Sequence, residues 1–116
     1  MIEATLRKYL EDNLTKVPVV MEIPKTPPKK FIMLQLADGG QINHVDAATF
    51  FVTIYADSLY SAAELKEDVK TLLFNAISIP GITRSEIGQE NAGTDSANHI
   101  YTYNLTFNFY YYREEI

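Results

Sequence analysis

The sequence predicts an α+β domain: a two-layer sandwich in which a mostly antiparallel sheet of four to five strands carries two helices on one face, in the order α-β-β-β-α-β-β. Three patterns lead there. Ile2, Leu6, Tyr9, Leu10 and Leu14 recur at three- and four-residue steps, the stripe of an amphipathic helix. Leu65, Val69, Leu72, Leu73 and Ala76 make a second such stripe. From residue 101 the period changes to two: Tyr101, Tyr103, Leu105, Phe107 and Phe109 fall on one parity, and Thr102, Asn104, Thr106 and Asn108 on the other. Successive side chains of a strand point to opposite faces, so this strand has one apolar and one polar face. Two helices with one apolar face each must bury it, and one side of a sheet accepts both.

The first helix is expected from about Ile2 to Leu14, with Arg7, Lys8, Glu11 and Asp12 off its stripe. Val17 to Ile23 is a short β-branched run and is expected as a strand, with Pro18 suited to its entry only. Pro24, Pro27 and Pro28 then exclude both helix and ladder, leaving a stiff extended loop that carries Lys25, Lys29 and Lys30. Phe31–Leu36 is continuously apolar, consistent with a strand buried on both faces. Asp38-Gly39-Gly40-Gln41 is expected as a turn. Ala48–Ala56 follows as an antiparallel partner to Phe31–Leu36, across a loop longer than a tight hairpin.

Ser61-Ala62-Ala63-Glu64 has the form of a capping box, with Tyr60 and Leu65 as its hydrophobic staple. Ile79-Pro80-Gly81 is the expected end of that helix. Ile82–Glu90 reads as a weaker, mostly polar strand, residues 91–98 as a polar loop, and His99–Tyr112 as the last strand. That last strand is too long and too aromatic for an edge left in water. The helices are expected to cover only its Tyr101–Phe109 face. Its Thr/Asn face, its backbone edge and the Tyr110–Tyr112 end are expected to meet other subunits.

The 116 residues are expected to form a single domain, 1–116, with 47% hydrophobic and 22% charged residues in a globular balance. The absence of cysteine excludes disulfides and thiolate metal sites. A net charge of −5 opposes non-specific binding to a phosphate backbone. Residues 1–8 contain no apolar signal core and no later run approaches a membrane span, so the chain reads as soluble and unprocessed.

Little in the sequence suggests chemistry. His44 and Asp46 form a His-x-Asp pair, which supplies too few ligands for a metal site, and His99 has no spacing that completes it. No nucleophile motif or phosphate-cradling glycine loop is present. Glu11-Asp12, Glu67-Asp68 and Glu114-Glu115 are sequence neighbours that do not face one another on a helix. The expectation is therefore a protein that is not an enzyme, with no catalytic residue, metal or cofactor. Lys25, Lys29 and Lys30 are a local positive excess whose complement could be Glu86, Glu90 or Asp95 on another copy in a head-to-tail contact; a phosphate backbone and plain solvent are the other readings. Tyr110, Tyr111 and Tyr112 put rings on both faces of the strand end and are interface candidates. Tyr111 also fits the core, as a continuation of the Leu105–Phe109 face.

The order of these segments resembles a family. A short N-terminal helix (MIEATLRKYLEDNL) leads to a strand (VPVVMEIP), a Pro-rich loop and a strand ending near Gly-Gly. Asp46 follows, with AATFFVTIYADSLYSAAELKEDVKTLL, and an alternating strand then ends in Arg113. The most specific part, Phe50 to Leu73, has a strand closing on Tyr55-Ala56, a short Asp-Ser link and a helix opening with paired alanines. This arrangement is similar to the small neck proteins of long-tailed bacteriophages and prophages: tail terminators, tail-completion proteins and minor capsid proteins. The resemblance implies a virion structural protein made in the bacterial cytoplasm. It would form a ring of identical subunits, usually six, that caps the tail tube and joins it to the head. Its implied partners are copies of itself, the tail-tube protein and head–tail connector proteins, with no membrane; Lys25, Lys29 and Lys30 would lie on a ring face or near the lumen through which DNA passes. The alternative expectation is a small bacterial α+β domain that binds a ligand or peptide on the sheet face bearing Phe51 and Tyr55.

Overall fold

The computed structural model describes residues 1–42, 44–95 and 97–116. Its elements are α1 (Ile2–Asn13), β1 (Val19–Val20), β2 (Phe31–Ile42), β3 (Val45–Ala56), α2 (Leu59–Phe74), β4 (Ile82–Ala92) and β5 (Tyr101–Tyr111), with 3-10 turns at Asn75–Ser78 and Arg113–Glu115. The five strands form one sheet in the order β1-β2-β3-β5-β4, antiparallel except for the β1–β2 pair. The chain is thus an α+β sandwich of two layers, in the order the sequence predicts.

The helical stripes drive this layering. Ile2, Leu6 and Leu10 of α1 and Ala62, Leu65, Val69 and Leu73 of α2 are buried in one core with Ile32, Leu34, Phe50, Val52, Ile54, Leu105, Phe107 and Phe109 of the sheet. Directly opposed residues share a face, so the register identifies this as the helix side of β2, β3 and β5. Phe50 and Phe109 meet edge to face with centroids 5.9 Å apart. The Tyr9 hydroxyl donates to the Leu72 carbonyl at 2.7 Å and ties α1 to α2. Burial pushes the Tyr9 phenol above its ordinary pKa.

The last strand is not an edge. β5 lies between β3 and β4 and is paired along both sides, so its backbone has no free edge for another subunit. The exposed margins are instead the outer side of β4 and the part of β2 beyond Met33, where β1 has ended. The reason is topological: β3 and β5 are joined through α2 and β4, and that crossover leaves a slot beside β3 which the aromatic last strand fills.

Residues 38–41 are strand, not turn. Gly39 pairs with Ala48, Gly40 with Ala47 and Ile42 with Val45, so the ladder runs on to Ile42 and the connection is shorter than the sequence predicts. His44 takes the left-handed conformation at φ 69, which asparagine, aspartate and histidine tolerate better than most residues. Neither Gly39 nor Gly40 has a positive φ, and a bulge between Leu36 and Asp38 keeps the pairing in step.

Three further expectations are corrected. The Val17–Ile23 strand contracts to Val19–Val20 because only Val17 and Val19 reach the core, while Met21 and Ile23 are exposed. Phe31–Leu36 is buried on both faces only at its start, where Phe31, Ile32 and Leu34 are covered: Gln35 is exposed and Leu36 is 45% exposed where the helix layer ends. The α2 cap is Ser58, whose hydroxyl accepts the Ser61 N–H at 3.1 Å, so the helix starts a turn before the Ser61 box. Ser58 offers the same chemistry from an extended backbone (φ −151) and closes α2 directly onto the end of β3.

Candidate interaction surfaces

The sheet side away from the helices is open. It carries Phe31, Met33 and Gln35 of β2, Phe51, Thr53 and Tyr55 of β3, and the Thr/Asn face of β5. Phe31 stacks on Tyr55 with centroids 4.4 Å apart and planes within 4°, whereas Phe51 remains 50% exposed. The polar face of β5 is engaged within the molecule: the Thr49 hydroxyl donates to Asn108 Oδ1 at 2.7 Å and the Thr53 hydroxyl to Asn104 Oδ1 at 3.1 Å. Cross-strand hydrogen bonds of this kind stabilise a sheet face that meets water.

The three tyrosines divide by face. Tyr110 lies on the open side, its hydroxyl donating to Glu86 Oε1 at 3.3 Å and its ring under the Arg84 guanidinium at 5.7 Å. Tyr111 packs against the core on the helix side. Burial, reinforced by the nearby Asp46 carboxylate, raises its phenol pKa. Tyr112 is exposed beyond the strand, and its backbone N–H donates to the Gly81 carbonyl at 2.8 Å. The structure therefore places the three rings in three different environments.

Lys25, Lys29 and Lys30 lie on the segment between β1 and β2, residues 21–30, at one margin of the sheet. Lys25 and Lys29 are exposed, and Lys30 is half-buried at a cleft between α1 and α2. The acids considered as their complement lie at the opposite margin, on β4 and the tip of the β4–β5 hairpin. Glu86 already pairs with Arg84 at 2.9 Å. Glu90 pairs with Lys66 at 3.0 Å and Lys70 at 3.4 Å, and the Lys66 hydrogen bond holds its carboxyl below the usual value. Asp95 accepts from the Asn98 amide group at 2.7 Å, which holds its carboxyl low, and no cation lies within ion-pair distance of it among the described residues.

One site was not legible in the sequence. Asp46 is 2% exposed and accepts two bonds from Arg113, at 3.0 Å and 3.1 Å. Together with Gln41, His44, Tyr112 and Glu114 they line an open cleft of about 550 Å³ at the hairpin end of the sheet. The guanidinium occupies both carboxylate oxygens, so Asp46 serves as an anchor for the C-terminal turn rather than as a free base. Among the described residues no three His, Asp or Glu side chains gather into a metal site, and no helix is long and apolar enough to cross a membrane.

Compared with known proteins, the chain matches no family model and no curated sequence.

Proposed function

We propose that this protein is a structural assembly component that works through contacts between copies, as a ring-forming neck protein of the tail-terminator type in a long-tailed bacteriophage or prophage. The observation that carries this reading is the pair of unfilled sheet margins. β2 and β4 run in opposite directions at opposite sides of the sheet. A second copy turned about an axis along the strands brings its β4 beside the first copy's β2 in the antiparallel sense. The same contact is then available again on the far side. Contacts that use two different surfaces of each copy close into rings or run on as filaments, whereas a two-fold dimer would exhaust itself at one contact. The segment order described above supplies the phage assignment, and six subunits is the stoichiometry it implies.

The test is mass in solution by light scattering across concentrations, followed by electron microscopy and addition to polymerising tail-tube protein. Rings that bind one end of the tubes and stop their growth are the expected result. A monomer at every concentration that leaves tube growth untouched would overturn the reading. The second reading, a ligand- or peptide-binding domain, rests on Phe51, a large aromatic side chain exposed in the middle of the open sheet face. Saturable peptide binding lost on Phe51→Ser, by a protein that stays monomeric, would favour it.

A further inference from the structure

Residues 21–30 are an arm that touches the body mainly at its two ends, where Met21 lies beside α1 and Lys30 at the cleft between α1 and α2. Among the described residues no hydrogen bond joins them to the body, and all but Pro24 and Lys30 are exposed. Ile23, the most exposed aliphatic side chain of the segment at 55%, lies outside the buried core and leaves more than half of its surface to water. Pro24, Pro27 and Pro28 restrict the backbone before any contact is made, so docking this arm costs less conformational entropy than docking a flexible loop. The arm carries three of the chain's ten basic residues against one acid, Glu22; the body carries seven basic residues against fourteen acidic ones. A second copy is therefore a surface of opposite charge.

Topology indicates where on that copy the arm fits. The register aligns Ile32 with Ile54, Tyr103 and Ala92 in one row across the sheet. The root of the arm, just before Phe31, is thus level with the β4–β5 hairpin tip, at the opposite margin. A lateral repeat brings arm and tip together without a shift along the strands. The tip offers a complement to both the charge and the apolar side chain of the arm: the Asp95 carboxylate, which has no cation within ion-pair distance among the described residues, and Ile100, which is 46% exposed beside it through the Asp95–Ile100 bridge.

We propose that the arm of one copy docks on the β4–β5 hairpin tip of the next, with Ile23 against Ile100 and Lys25 and Lys29 around Asp95. This deepens the ring reading and rests on it, since it names the junction through which copies meet. Each copy donates its arm at one margin and its tip at the other, so the contact repeats head to tail. Its ionic part weakens with salt, while the isoleucine contact persists.

A charge swap tests it. Variant one is Lys25→Glu/Lys29→Glu/Lys30→Glu and variant two is Asp95→Lys. Each alone is expected to weaken self-association by about tenfold or more, as like charges replace exposed ion pairs. A 1:1 mixture is expected to assemble more tightly than either, because every junction between unlike copies again joins opposite charges. Ile23→Asp, on a side chain outside the buried core, is expected to weaken assembly with melting little changed, and serves if Asp95→Lys disturbs the tip. A wild-type protein that never self-associates removes the ring reading itself. Wild-type assembly that all three variants leave intact overturns this junction alone, as does a weakened triple variant that the mixture fails to rescue. Loss of binding to a DNA duplex by the triple variant, with assembly unchanged, assigns the arm to phosphate instead.

Discussion

Arg113 holds Asp46 by both carboxylate oxygens across 67 positions of sequence, joining the C-terminal turn to the start of β3. The partners differ sharply in environment, since the Asp46 side chain is 2% exposed and that of Arg113 is 79% exposed. The Arg113→Ala variant leaves a buried carboxylate without its cation. The expected loss is about 2 kcal/mol in denaturant unfolding, below the range for fully buried pairs because water reaches the guanidinium side. Asp46→Asn, which retains a hydrogen-bond acceptor, should cost less than Arg113→Ala; the opposite order would show that the pair does not anchor the turn.

Gly81 is the one described glycine with a positive φ, at +97. A Cβ there would meet Glu115 Cβ at 2.8 Å. Gly81→Ala therefore combines backbone strain with a clash against the C-terminal turn and is expected to destabilise by about 2 kcal/mol. An unchanged melting temperature would contradict this.

Gly40 predicts the reverse. It sits in a paired strand without a positive φ, and nothing lies within 4 Å of where its Cβ would be. Gly40→Val restricts the unfolded chain and adds a good strand former, and is expected to raise monomer stability by about 0.5–1 kcal/mol. Destabilisation would mean that the strand needs glycine for a reason internal to the fold.

The Lys66–Glu90 pair sets a pH signature. The Lys66 hydrogen bond holds the Glu90 carboxyl below its ordinary 4.5. A lowered carboxyl contributes stability above its unfolded value and loses it as pH falls through the folded one, so the loss lies on the acid side of 4.5. Lys66 is raised above 10.5, by Glu90 first and Glu67 second; its share is full below 10.5 and lost as pH rises through the folded value. Glu90→Gln is expected to flatten both limbs of the stability–pH curve and to cost about 0.5–1 kcal/mol at neutral pH, with solvent screening holding the value down. An acid limb identical to wild type would place the titration elsewhere.

What the sequence revealed, and what it hid, follows from the range of each signal. The α1 and α2 stripes and the alternation of β5 are local periodicities, and burial bears them out. The position of β5 inside the sheet is a long-range outcome that no local pattern encodes. Asp38-Gly39-Gly40-Gln41 misled because turn residues only permit a reversal; the bulge at Leu36/Asp38 and the pairing with β3 kept the segment extended. Ser58 and Ser61 offer the same cap chemistry, and the distance from Ala56 decided between them. The Asp46–Arg113 pair was invisible because an ion pair between distant residues leaves no spacing to recognise. The lysines and their candidate acids could be named from sequence, but their places at opposite margins required the strand order, and their level alignment the register.

The central place of β5 also has a consequence for synthesis. Until residues 101–111 have left the ribosome, β3 presents one bare backbone edge, and the hydrophobic side chains that β5 will cover stay wet. The sheet cannot zip up progressively behind the emerging chain: β4 has no strand partner but β5, so both join β3 together once the β5 residues are free. Such non-local pairing is slow, and the waiting intermediate is the form most open to aggregation and chaperone capture.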